Sequence, residues 1–375
     1  MRIRGAKVYT ENHIFEERDI FISGERISSF DDEGFVMEAQ GLYAVPGLVD
    51  IHLHGAAGHD FCERNREALD MITDYEAGRG VLALCPATAA LSKEEIMDVL
   101  RFLGEYESSK GAFVAGINLE GPFISPLKTG ALDAANVLPF DRRLFDSFQK
   151  AAKGKIRLLD LAPECMPDMD DVSKLSEDVH VSLAHTDCGY DAAKKAFQLG
   201  ADHLTHAFNA MNGIGHRKPG PIMAAAEADA FAEIIADGVH IHPSVVKLAL
   251  KIFGEDRVVF VSDSMMAAGM PDGEYSLGGK SVLVSGGKAV LKEDPSVIAG
   301  SAVDLLECVK RAVAMGIPFE TAIRCASENP ARSIGLEKDF GTLSPGAYAN
   351  VLLLDEELNI RGVINRGFML GENRI

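Results

Sequence analysis

The sequence contains no apolar run approaching the roughly 18 residues that suggest a membrane-spanning helix. Its first residues, Met1-Arg2-Ile3-Arg4-Gly5-Ala6-Lys7, lack the apolar core of a signal peptide. The 6 cysteines (Cys62, Cys85, Cys165, Cys188, Cys308, Cys325) include no C-x-x-C and no paired spacing. That argues against a disulfide framework and for reduced thiols in a cytoplasmic enzyme. Basic residues are scarce too: 37 Lys and Arg against 56 Asp and Glu give a formal charge of -19, with no basic block. Nucleic acid and an anionic membrane are therefore not expected as partners. Screening over roughly 8 Å still lets a few local donors hold an anionic small molecule.

What is present fits a folded enzyme. The 375 residues, 47% hydrophobic and 25% charged, suit one large catalytic unit with a minor second one. Residues 1–46 and 341–375 alternate short apolar segments with turns. They are expected to form a small β-sandwich domain built from both termini, the N-terminal part as a small antiparallel sheet. Between them, residues 47–340 alternate short buried-strand runs with longer helical stretches, the pattern of an α/β fold with parallel strands. Eight runs end at His54, Thr88, Glu120, Ala162, His185, His206, Asp237 and Asp263. Eight such units predict a (β/α)8 TIM-type barrel with its active site at the strand ends. Helices fit the gaps, as over 92–107, where Ser92 and Glu95 have capping-box spacing, and over 191–199.

Residues near 271–297 break this rhythm and read as a β-hairpin insertion. Within them Gly278-Gly279-Lys280-Ser281 resembles part of a phosphate-cradling loop, but Glu274 stands where the leading glycine belongs.

Polar residues close the apolar runs. Burying His54, Glu120, His185, His206 and Asp263 without partners would cost several kcal/mol apiece, and a shared metal ion would satisfy all of them. His52 and His54, two apart on a strand, can face one ion. The His-x-His pair alone is weak, because 11 histidines make such pairs common by chance, and His240-Ile241-His242 is another. His13, His59, His180, His203 and His216 close no strand and read as surface or hydrogen-bonded core residues. Two imidazoles and a carboxylate suit zinc or ferrous iron. Asp263 can ligate metal, orient a bound water or shuttle its proton.

Together these residues resemble the amidohydrolase superfamily and, within it, the N-acetylglucosamine-6-phosphate deacetylase family. Val45-Pro46-Gly47-Leu48-Val49-Asp50-Ile51-His52-Leu53-His54-Gly55 carries the superfamily part. Leu119-Glu120-Gly121-Pro122-Phe123, His185-Thr186-Asp187, His206-Ala207-Phe208-Asn209-Ala210-Met211, Arg217-Lys218-Pro219-Gly220 and Ser262-Asp263 carry the family part, in matching order. The resemblance implies that Glu120, His185 and His206 hold the main ion. His52 and His54 add a second site, so one or two divalent ions, zinc or iron, are expected per subunit. It further implies removal of acetate from an amino-sugar phosphate by metal-activated water, with Asp263 as general base and then acid. Asn209, the Ala210 N–H, Arg217 and His240 are the implied phosphate donors, with Asp237 and the segments Ala131-Leu132 and Ile298-Ala299-Gly300 also touching substrate. A homodimer is implied, its Arg217 loop reaching the partner's site.

One departure stands out: the family often has a histidine on the acetyl carbonyl where this chain has Leu132, which cannot donate a hydrogen bond. The remaining readings are N-acetylgalactosamine-6-phosphate as substrate, another amidohydrolase acting on a cyclic amide or N-acyl amino acid, or a non-catalytic barrel that binds a sugar phosphate.

Overall fold

The structure is a computed structural model, and it describes residues 1–30 and 34–371. The last part of the expected terminal domain, 372–375, lies outside the described residues. Eight parallel strands form a closed barrel: β1 (Leu48–Leu53), β2 (Val81–Pro86), β3 (Ile117–Leu119), β4 (Ile156–Leu161), β5 (His180–Leu183), β6 (His203–Leu204), β7 (Phe231–Ile235) and β8 (Val258–Val261). Pairing runs in order from β3 to β8 and joins β1 to β2. A bridge between Ala87 and Asn118 connects β2 with β3. The ring closes where Asp263 N donates to His52 O at 3.0 Å and His54 N to Ser264 O at 2.7 Å.

The strands are buried on both faces, which is why they read as nearly continuous apolar runs in sequence. β1 and β2 are buried along their whole length. The barrel interior is filled by Val49, Ile51, Ala83, Cys85, Leu158, Ile235, Val259 and Val261. A larger apolar layer packs the helices on its outside. Each fully buried Leu, Ile, Val or Phe contributes on the order of 1.5–3 kcal/mol. The third strand is shorter than the run ending at Glu120 suggested. Phe113–Val114 pairs separately with β2, and Ala115-Gly116 interrupts the run. There the flexible alkyl stem of Arg157 lies 2.6 Å from where a Gly116 Cβ would be.

Strands from both termini join one eight-stranded sheet rather than a purely antiparallel N-terminal one. Arg2–Tyr9 pairs antiparallel with Phe15–Ser23 but parallel with Val36–Glu38 and with Tyr43–Pro46. Val351–Leu354 then joins Tyr43–Pro46. A bridge between Arg26 and Tyr348 draws the far end of the sheet back, around a separate core that includes Ile3, Val8, Ile20, Ile22, Val351 and Leu353. The insertion after β8 is a three-stranded antiparallel sheet, not a hairpin: Gly273–Leu277, Lys280–Ser285 and Lys288–Leu291. No described helix is long and apolar enough to cross a membrane.

The helix Lys93–Glu105 begins at Ser92, with Glu95 N donating to Ser92 Oγ at 3.3 Å and Ser92 N to Glu95 Oε2 at 3.1 Å. Ser92→Ala should lower stability by about 1 kcal/mol, whereas Ser92→Asp should retain it. Equal melting temperatures for Ser92→Ala and the parent in calorimetry would contradict this role for the cap.

Candidate metal centre

The residues that closed the apolar runs lie just beyond the hydrogen-bonded ends of their strands. There the backbone turns sharply. His185, His206 and Asp263 have φ of 44°, 27° and 47°, a left-handed conformation that costs a non-glycine residue on the order of 1–3 kcal/mol. Hydrogen bonds hold each turn: the carbonyls of His185 and Asp263 accept from Ser125 N and Ser301 N of other loops at 2.9 and 2.7 Å, and the His206 carbonyl accepts from Asn209 N of its own turn at 3.0 Å. Gly300 must be glycine here, because its φ is +62° and a Cβ would lie 3.1 Å from the Asp263 carbonyl.

These turns and the end of β1 bring four imidazoles around the buried Glu120 carboxylate, with Asp263 beside two of them. Glu120 Oε1 lies 2.9 Å from His185 Nε2, 3.2 Å from His206 Nε2 and 3.6 Å from His52 Nε2. Its other oxygen is 3.2 Å from His54 Nε2. Asp263 Oδ1 sits 3.3 Å from His54 Nε2 and 3.9 Å from His52 Nε2. Two ligand triads result, His52/His54/Glu120 and Glu120/His185/His206, and Glu120 belongs to both.

The proton positions fit a cation. His185 Nδ1 is 2.8 Å from the Lys128 carbonyl, which can only accept, so Nδ1 carries the proton. A neutral ring then turns a bare Nε2 toward Glu120 and toward His206 Nε2, 3.1 Å away. His52 Nδ1 faces the Glu233 carboxylate at 3.1 Å, leaving its Nε2 bare as well. Among the described residues neither His52 Nε2 nor Glu120 Oε2 makes a well-aligned hydrogen bond, although His54 Nε2 lies 3.2 Å from Glu120 Oε2. Lone pairs that converge like this repel unless protons or a metal ion lie between them.

With protons in that place, burial disfavours the charge on His52 and His54. The facing carboxylates outweigh it, holding His52 well above its usual range and His54 at about 10. Burial would raise the carboxyls of Glu120 and Asp263, but the surrounding imidazoles keep both below the ordinary range.

A cavity of about 290 Å³ opens above the centre. Among the residues anticipated from sequence it is lined by His54, Glu120, Ala131, Leu132, His185, His206, Asn209, Ala210, His240, Asp263, Ile298 and Gly300. Asp237 acts through a neighbour: it accepts from His240 Nδ1 at 2.8 Å, so the ring nitrogen left for a ligand is Nε2. Ala299 is buried in the core of the inserted sheet. Arg217 is exposed, bonds His216 at 2.6 Å and does not line the cavity. Leu132 packs its side chain with Ala89, Ala90 and Ile124, and its carbonyl accepts from Lys280 Nζ at 3.2 Å.

Sequence reasoning missed Gly130, Phe208, Leu277, Ser296 and Val297 in the wall. It also missed Glu233 against His52 and the His206 backbone. Phe208 and Ala210 share the left-handed turn of His206, with φ of 77° and 47°. This alternation of hand turns successive N–H groups to one side, an arrangement that binds anions. The histidines read as non-ligands have other partners. His180 and His203 both place Nδ1 against Asp202, at 2.6 and 3.3 Å, so that carboxylate is paired without an ion. His13 and His59 pair with Glu328 and Glu63.

A closed barrel with imidazoles and acids at its strand ends defines a class, and comparison with known proteins agrees. The chain belongs to the amidohydrolase family, whose model matches residues 43–370. It is 31% identical to the N-acetylglucosamine-6-phosphate deacetylase of Bacillus subtilis (strain 168), over 97% of this chain and 96% of that one. It is 30% identical to the N-acetylgalactosamine-6-phosphate deacetylase of Escherichia coli O157:H7, over 97% and 98%. Among solved structures, a mutant N-acetyl-D-glucosamine-6-phosphate deacetylase from Mycobacterium smegmatis, in complex with N-acetyl-D-glucosamine-6-phosphate, superposes with a TM-score of 0.92. It is 28% identical, with 98% of each chain covered.

Because the carboxylates hold protons on His52 and His54, a metal ion must displace them to bind. Zinc affinity should therefore tighten as pH rises from about 6 to 8, with proton release on binding. Titration calorimetry in buffers of different ionisation enthalpy measures both. Affinity independent of pH would contradict the ligand assignment.

Proposed function

We propose that this enzyme removes acetate from N-acetylglucosamine-6-phosphate, releasing glucosamine-6-phosphate in amino-sugar breakdown. One observation carries the reading: four imidazoles converge on the Glu120 carboxylate at the floor of a substrate-sized cavity, with Asp263 on its edge. The similarity to deacetylases of phosphorylated N-acetyl amino sugars, over nearly the whole chain, supplies the substrate class.

Glu120, His185 and His206 would hold one divalent ion, zinc or iron, and His52 and His54 with Glu120 a second. An ion held there polarises a carbonyl and lowers the pKa of water to about 7. The protein's own residues do the rest. Asp263 is the most exposed of the clustered acids and histidines, at 8% against 0–5% for the others, so it meets both the ligand triads and the cavity. It takes the proton of the attacking water as the new C–O bond forms. It then gives that proton to the amide nitrogen as the C–N bond breaks, so a neutral amine and acetic acid leave, and the acid's remaining proton, which came from the water, is lost to solvent to give acetate.

The phosphate would lie against the alternating turn at 206–210, with Asn209, the Ala210 N–H and His240 Nε2 as donors. Arg217, exposed and outside the cavity, would serve the site of a neighbouring subunit in a homodimer. Its planar fork suits two charge-assisted bonds to a phosphate. Leu132 leaves polarisation of the acetyl carbonyl to the metal centre. The unpaired cysteines favour a cytoplasmic setting.

Asp263→Asn should bind metal and melt as the parent does, yet lose about 10²- to 10⁴-fold in kcat. Near-parental turnover would sink its role as proton carrier. Acetate release should be fastest from N-acetylglucosamine-6-phosphate in a panel with N-acetylgalactosamine-6-phosphate, the unphosphorylated sugar and a hydantoin. A faster reaction with any of the others would move the assignment to that substrate.

A further inference from the structure

Glu233 lies in the middle of β7, in the run Phe231-Ala232-Glu233-Ile234-Ile235, and is fully buried. A charged group placed there costs several kcal/mol unless something compensates it. Among the described residues no lysine or arginine forms an ion pair with it, and Oε1 has no hydrogen-bond partner. All of its side-chain pairing goes through Oε2, which accepts from two groups. One is His52 Nδ1 at 3.1 Å and the other the backbone N–H of His206 at 3.2 Å. These donors belong to different ligand triads.

The geometry points to Glu233 as a positioning residue of the metal centre: a single carboxylate oxygen sets one ligand in each triad. This rests on the metal centre proposed above. On His52, an acceptor at Nδ1 keeps the proton on that nitrogen and leaves Nε2 bare, the tautomer that a metal ion requires. On His206, the same oxygen takes the N–H of a residue in a left-handed turn, at φ 27°. That turn aims the imidazole at Glu120. The backbone adds a third tie, as Ala207 N donates to the Glu233 carbonyl at 2.7 Å. Loss of the oxygen therefore leaves His52 Nδ1 with only the amide of Asn118 beside it, at 3.4 Å, and loosens the His206 turn at the same time. Hydrogen-bond partners behind metal-bound histidines are worth about 10- to 100-fold in metal affinity.

Three substitutions separate position from charge. Glu233→Leu removes the oxygen. Glu233→Asp keeps the charge but withdraws the oxygen by one methylene. Glu233→Gln discards the charge, yet its amide oxygen can still accept from both donors. Zinc affinity of the full-length proteins would be measured by competition with a chromophoric chelator, and melting temperature with and without zinc. The Leu and Asp variants should bind zinc about 10- to 100-fold more weakly, with a smaller gap between the two melting temperatures. The Gln variant should stay within about tenfold of the parent. If Leu does not fold, Asp against Gln decides the matter. A Leu or Asp variant with parental zinc affinity, altered only in its zinc-free melting temperature, would make Glu233 a packing residue and overturn the proposal. A parent protein that binds no zinc or iron would instead overturn the metal centre itself.

Discussion

Glu120 is a carboxylate with almost no access to water, and an uncompensated charge in that position is among the most expensive features a fold can carry. Its compensation is the ring of imidazoles within 2.9–3.6 Å. Much of the surrounding architecture serves to bring those rings together. They come from the ends of three strands, His52 and His54 together from β1, and three residues of the cluster, His185, His206 and Asp263, hold unfavourable left-handed backbones. The loops that brace those turns, through Ser125, Asn209 and Ser301, are themselves the walls of the cavity. Strain, burial and access to substrate are thus facets of one arrangement.

The barrel makes this possible because parallel strands end together on one side. Its interior is packed with Val, Ile, Leu, Ala and Cys, which fixes the height and direction of every strand end. Polar groups cluster nearer the centre. Glu233 stands behind His52 and His206, and Asp50 accepts from the backbone N–H groups of His52 and Ser262. Burial pushes the Asp50 carboxyl up to about 7. Immediately around the ligands the polar framework is directional, and a shift of one hydrogen bond re-aims an imidazole.

How much of this was legible in the sequence depended on contrast. Glu120, His185, His206 and Asp263 were visible because each terminates an apolar run, and a polar group there needs a partner. His52-Leu53-His54 was visible as spacing but was weak until the later residues joined it. Glu233 offered the same contrast, a charge inside an apolar strand, yet it lay mid-strand, where no rule about strand ends applies. Phe208 stood in the His206–Met211 motif, but its conformation was hidden, since a left-handed backbone on a phenylalanine has no sequence signature. The parallel pairing of Arg2–Tyr9 with its later neighbours was equally hidden, because alternation reveals a half-buried strand but not the direction of its partner. Arg217 shows the opposite limit: its chemistry suits a phosphate, but it lies outside the cavity, and chemistry alone does not reveal position.

The claim that Glu120 is the hub of a metal site can be tested most directly by anomalous diffraction. Crystals of metal-replete protein would be measured at the absorption edges of zinc and iron. A peak is expected within bonding distance of Glu120, His185 and His206. If both ligand triads fill, a second is expected on the His52 and His54 side, about 3.5–4 Å from the first. Anomalous density confined to other parts of the molecule, with none beside the Glu120 carboxylate, would contradict that claim.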